Sequence, residues 1–140
     1  MVQIYLAGKK PGRKMRKSFT LAELSIVIVV IGILAIIAIP QFSKLLEKSK
    51  AKEAFTNLTA IYTAERLYHI DTGFYTTDIN DLDCFLRWQD WKLEEITCSD
   101  CATDFKARAE RKSGRYVGYH LYIDQTGTIA SNDGYPYTPE

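Results

Sequence analysis

The chain has 140 residues, room for one small domain and one further long element. Its composition is ordinary, with 46% apolar and 25% charged residues, and the formal net charge is +1. That near-neutrality hides a division. Six of the 18 cations (Lys9, Lys10, Arg13, Lys14, Arg16, Lys17) lie in the first 18 residues, which hold no acid. The other 12 face 17 acids, a net of −5. A basic end on a mildly acidic body argues against nucleic-acid binding by the body.

Residues 1–18 read as a basic leader, with Pro11-Gly12 as a breaker and Met15 as an alternative start that would leave a leader of Met15-Arg16-Lys17-Ser18. From Phe19 to Ile39 the only charge is Glu23, and Ile26 to Ile39 has no polar side chain. About 20 apolar residues in a helix span the hydrocarbon core of a bilayer. The cations before the span place the N-terminus in the cytoplasm, although Lys44, Lys48, Lys50 and Lys52 after it weaken the asymmetry. A cleaved signal peptide is the rival reading. An acid near the start of the run, and the lack of a small-x-small site around Pro40-Gln41-Phe42, count against it.

After Pro40, helical spacing persists through Phe42, Leu45, Leu46, Ala54, Phe55, Leu58, Ile61, Tyr62 and Tyr68, with charges between them. The pattern predicts one helix from about Phe19 to about Ile70. Proline removes one rung of the hydrogen-bond ladder and kinks helices, so the helix is expected to bend at Pro40. Asp71-Thr72-Gly73 is a stop signal with Gly73 at the left-handed cap.

Beyond it, 76–82 reads as a turn with a short helical piece, and Cys84 to Asp104 as a loop. Lys106 to Lys112 reads as charged surface. Tyr116 to Ile123 and Thr128 to Ser131 read as a hairpin about Asp124-Gln125-Thr126-Gly127. Two strands alone are marginal, so a third is expected between Trp88 and Ile96. The fold class is therefore α+β: a long kinked N-terminal helix packed on a small antiparallel sheet domain. The expected divisions are 1–18 leader, 19–40 membrane segment, 41–72 amphipathic half of the same helix, and 73–140 globular head.

The segment Lys17-Ser18-Phe19-Thr20-Leu21-Ala22-Glu23-Leu24 and the apolar run to Pro40 closely resemble the N-terminal signature of type IV prepilins and the related type II secretion pseudopilins. The resemblance covers about 25 of 140 residues. It implies that a prepilin peptidase cuts between Ser18 and Phe19 on the cytoplasmic side and N-methylates Phe19. Ser18 departs from the glycine usual in the family, while Arg16 and Lys17 match its basic residues before the cut. The resemblance also implies that Glu23 pairs with the amino terminus of a neighbouring copy. An ordinary interfacial acid is the plainer reading of that residue. Gly32 and Pro40 bracket a segment that the resemblance implies can loosen on assembly; Gly32 as a close helix contact is the alternative.

The implied partners are further copies of the chain in a helical filament, the peptidase, an inner-membrane assembly platform, and membrane lipid before assembly. The implied location is the inner membrane, single pass, and then an extracellular filament or a periplasmic pseudopilus. The implied role is structural: a subunit of a type IV pilus-like filament, with a type II secretion pseudopilin or a membrane-anchored binding domain as alternatives.

Cys84, Cys98 and Cys101 sit in the part expected outside the inner membrane, where disulfides form. A bridge from Cys84 to Cys98 or Cys101 is the preferred expectation. Closure of Cys98-Ser99-Asp100-Cys101 on itself is the alternative. The cysteines with His69 or His120 match no zinc spacing, and calcium on Asp124 and Asp133 is a minor option, so no metal or cofactor is expected. No nucleophile motif, paired-carboxylate motif or phosphate loop points to catalysis.

Overall fold

A computed structural model describes residues 19–139. The leader, the alternative start and Ser18 lie outside the described residues. The chain divides into two compact units, 1–39 and 40–140. One helix, α1, runs Leu21–Thr72. A short 3-10 turn follows at Ile79–Asp81. Then come β1 (Trp91–Thr97), β2 (Lys106–Arg111), β3 (His120–Asp124) and β4 (Ile129–Ala130). The strands form an antiparallel meander in chain order. The class is α+β, as the sequence predicts.

α1 stops where its sequence says it should. The Gly73 N–H donates to the His69 carbonyl at 2.8 Å, and Gly73 has φ +84°, a conformation only glycine adopts without strain. Within 40–140, the helix buries Ala51, Ala54, Asn57, Leu58, Ile61, Ala64 and Glu65. These recur at three- and four-residue steps and make one stripe. The sheet covers it with Trp91, Ile96, Ala107, Ala109, Leu121 and Ile123.

Pairing sets the inward face: Ala107 lies between Ile96 and Ile123, and Ala109 pairs with Leu121. In β1 the register shifts between Leu93 and Glu95. The extra residue moves the inward positions from odd (Trp91, Leu93) to even (Ile96).

β2 corrects the reading of Lys106 to Lys112 as mere surface. Lys106, Arg108 and Glu110 face outward, while Ala107, Ala109 and Arg111 are buried. β3 is also shorter than expected, because Tyr116 to Tyr119 form a turn: the Gly118 N–H donates to the Arg111 carbonyl at 3.1 Å and the Tyr119 N–H to the Tyr116 carbonyl at 3.2 Å. Tyr116 of that turn packs edge to face with Tyr135 and Tyr137, and Tyr135 in turn packs on Trp91.

The hairpin turn between β3 and β4 ends at Gly127, φ +79°, where an added Cβ would lie 3.1 Å from the Tyr62 ring. Gly127→Ala is expected to lower stability by about 1–3 kcal/mol, through left-handed strain and crowding of Tyr62. Thermal unfolding of the full chain in detergent, followed by circular dichroism, measures it. An unchanged midpoint would contradict this reading of the turn.

Candidate functional site

Within the N-terminal unit, the described residues 19–39 form an apolar surface with one acid. Every Leu, Ile and Val from Leu21 to Ile39 is solvent-exposed. α1 is long and apolar enough to cross a membrane. Phe19 and Thr20 are non-helical, and Phe19 is exposed immediately before the first turn. Thr20 and Glu23 form a reciprocal cap. The Thr20 N–H and Oγ1 donate to Glu23 Oε2 at 2.9 and 3.0 Å, and the Glu23 N–H donates to Thr20 Oγ1 at 3.2 Å. This is a capping box; Thr-x-x-Glu before an apolar run signals it in sequence. Thr20 is therefore a residue the sequence reading missed. The box ends the helix at Leu21 and leaves Phe19 outside it. Gly32 has open space around its Cβ position, and Pro40 lies within α1.

The other site candidates lie in the 40–140 unit. Cys98 and Cys101 are disulfide-bonded, with Cα atoms 5.1 Å apart, and Cys84 is free. This corrects the expected long-range bridge. The reason is a tight turn: Asp104 Oδ1 accepts from the Ser99 and Asp100 N–H groups at 3.1 and 2.7 Å, and the Asp100 carbonyl accepts from Thr103 and Asp104, both at 2.9 Å. That turn brings 98 and 101 together. Cys84 is half-buried and lines a groove with Ile79, Leu82, Leu86, Trp88 and Leu93.

The small ring also holds the end of α1. The Tyr75 N–H donates to the Cys101 carbonyl at 2.6 Å. His69 Nε2 lies 3.0 Å from the Ala102 carbonyl, which assigns the proton to Nε2, and His69 stacks on Tyr75.

Two buried charges mark the head. Arg111 is 0% exposed. Its Nη2 reaches Glu47 at 3.2 Å and its Nε donates to the Ser113 carbonyl at 2.8 Å, with Asp90 at 3.9 Å. Glu65 is also 0% exposed; its Oε2 accepts from the Thr76 N–H at 3.1 Å, while Oε1 has no partner among the described residues. Burial raises the Glu65 pKa most. The Thr76 hydrogen bond opposes that, and the charge of Asp81 adds to it. Burial also raises the Cys84 pKa, with smaller contributions from Asp83 and Glu65.

On the outer face of the sheet, ligand atoms of Glu94, Glu110 and His120 lie within 4.8 Å of one another. Protein cations already engage the acids: Arg108 Nε lies 2.8 Å from Glu94, and Lys92 lies 2.6 Å from Glu110. Asp133 accepts from the His120 backbone N–H at 3.1 Å, and its carboxyl pKa is lowered chiefly by the His120 side-chain hydrogen bond. Asp124 accepts from the Thr126 N–H at 2.9 Å.

A helix apolar on every side, carrying one acid in its first turn, together with a small sheet-covered head, defines the subunit plan of bacterial envelope filaments. A family model described as the prokaryotic N-terminal methylation motif matches residues 13–39. The chain is 47% identical over 66 residues to the type IV major pilin protein PilA of Myxococcus xanthus, covering 47% of this chain and 30% of that pilin's length. It is 34% identical over 122 residues to a type IV major fimbrial protein FimA of Dichelobacter nodosus, covering 87% of this chain and 74% of that one. It is 29% identical over 132 residues to type II secretion system core protein G of Pseudomonas aeruginosa, covering 86% and 93%. The chain belongs to the type IV pilin family.

Two outcomes check the head chemistry. Unfolded, unreduced protein is expected to take one iodoacetamide, at Cys84, and three after reduction; mass spectrometry counts them. Glu65 has a raised folded-state pKa, so its contribution is fully present below the unfolded carboxyl pKa and is lost as pH rises through the folded value. Glu65→Gln should therefore raise the unfolding midpoint at pH 8 and change it little at pH 4. Equal shifts at both pH values would contradict the burial argument.

Proposed function

We propose that the chain is a structural subunit of a type IV pilus-like filament, acting by non-covalent polymerisation rather than catalysis. The observation that carries the reading is the first unit: thirteen exposed Leu, Ile and Val side chains between Leu21 and Ile39 around a single acid, Glu23. Such a surface suits two environments in turn. One is lipid, where the subunit waits with its N-terminus in the cytoplasm; the other is a bundle of like helices in the filament.

In this reading, prepilin peptidase cuts between Ser18 and Phe19 and methylates the new amine. Phe19 sits outside the helix, so the backbone N–H at the proposed cut takes no part in the helical ladder. The freed ammonium of one copy then meets the Glu23 carboxylate of the next, so neither charge is left alone in an apolar bundle. Until then the Thr20 hydroxyl and N–H hold that carboxylate within its own chain. Gly32 and Pro40 are the points at which the segment between them could loosen. An inner-membrane platform would drive extraction, and the product is an extracellular filament.

A periplasmic pseudopilus is the second reading. The extent of the match to core protein G, 93% of that chain, favours it.

Sheared surface material and membranes are analysed by N-terminal sequencing and intact mass. The expected subunit starts at Phe19 and carries one extra methyl group. Recovery in the sheared fraction supports the pilus, and recovery in membranes alone supports the pseudopilus. A retained leader overturns both. Glu23→Ala is expected to leave cleavage intact and to abolish most filament yield. Normal yield from that variant would end the pairing idea.

A further inference from the structure

The acidity of the head is concentrated in one stretch. Residues 71–104 hold nine acids and two cations, whereas Lys44, Lys48 and Lys52 repeat every four residues along an exposed line of α1. None of these three lysines has an ion-pair partner among the described residues. Lys48 and Lys52 line a groove with Ala51, Phe55, Pro136 and Tyr137. Its lining thus combines two cations with two aromatic side chains, Phe55 and Tyr137.

The segment 81–89 is its complement. Burial alternates along it: Leu82, Cys84, Leu86 and Trp88 turn inward, while Asp81, Asp83, Phe85, Arg87 and Gln89 are exposed. Phe85 is 91% exposed, the most exposed large apolar side chain of the described residues. The outward face therefore presents acid, acid, phenyl at alternate positions. Asp81 ends the 3-10 turn, where its Oδ2 accepts from Thr76 Oγ1 at 2.8 Å, and the chain is extended at Leu82, between the two acids. Two residues across an extended position advance about 6–7 Å, and four helical residues about 6 Å. The acid spacing thus matches the lysine spacing, and Phe85 supplies an exposed ring for an aromatic-lined groove.

These surfaces cannot meet within one copy. Glu53 accepts from the Asp90 N–H at 3.1 Å, and Asn57 Nδ2 donates to the Arg87 carbonyl at 2.7 Å, so the segment leaves one flank of α1. Phe55 lies about 200° round the helix from Glu53, at 100° per residue, where the C-terminal segment covers it. A donor and an acceptor on opposite flanks of one head make a head-to-tail contact, the kind that propagates into open helical polymers.

We infer that the Asp81–Asp83–Phe85 face of one copy docks in the Lys48–Lys52–Phe55–Tyr137 groove of the next. The inference rests on the filament reading and deepens it, adding a contact between heads to the helix bundle.

The test uses the full chain in a pilus-forming host. K48E/K52E and D81K/D83K are each expected to cut the sheared filament yield at least tenfold, with processed subunit in membranes unchanged. The four substitutions together should restore yield to within threefold of the wild type. Separately, Phe85→p-benzoylphenylalanine, irradiated in isolated filaments, should give a dimer whose adduct maps to residues 48–55 or 136–138. An adduct elsewhere, or reversals without effect on yield, would overturn the docking while leaving the filament reading intact. A processed wild-type chain that never leaves the membrane would remove the filament reading and this inference with it.

Discussion

An α-helix with apolar side chains on every side has no stable place in water. Each exposed Leu, Ile or Val stands about 1.5–3 kcal/mol above its buried state, so the thirteen from Leu21 to Ile39 represent on the order of 20–40 kcal/mol. A whole domain is usually stable by only about 5–15 kcal/mol. The fate of this surface therefore outweighs anything the head can contribute. Whatever the chain does, that segment must be in lipid or against other apolar helices. In the proposed cycle it exchanges one for the other at little net cost, since both solvents are apolar.

The head solves a different problem with the same helix. After Pro40 the pattern narrows to one buried stripe, and charges return to the other faces. The sheet covers that stripe with small residues where β2 lies and with large ones in β1 and β3. Loops are held to the helix by polar side chains: Glu53 and Asn57 take up the backbone of 87–90, and the Trp91 indole donates to the Lys50 carbonyl at 3.0 Å. The head is thus built along its own stretch of α1, and the outer faces remain available for the proposed contacts between copies.

Much of this was legible in the sequence. The long helix, its stop at Gly73, the hairpin and a third strand between Trp88 and Ile96 all follow from spacing and turn chemistry. β2 was not legible, because Lys-Ala-Arg-Ala-Glu-Arg alternates charge with alanine. Alanine gives little hydropathy contrast, and one of the buried positions holds an arginine whose charge partner, Glu47, lies far back in the chain. The disulfide was misjudged for a related reason. The turn that closes Cys98 on Cys101 depends on Asp104, a residue outside the ring, and a spacing rule does not see it. At the proposed processing site, Phe19 and Glu23 were read from motif, whereas Thr20 shows its cap through hydrogen bonds.

The sheet's borders carry one more consequence. β4 is two residues long, and β1, at the opposite border, is broken by a register shift between Leu93 and Glu95. A long straight border strand invites backbone pairing with the next sheet it meets. Proteins held side by side in a bilayer meet constantly, and such pairing would lock them into amyloid-like stacks. Short and kinked borders suppress that route, so crowded heads remain separate bodies.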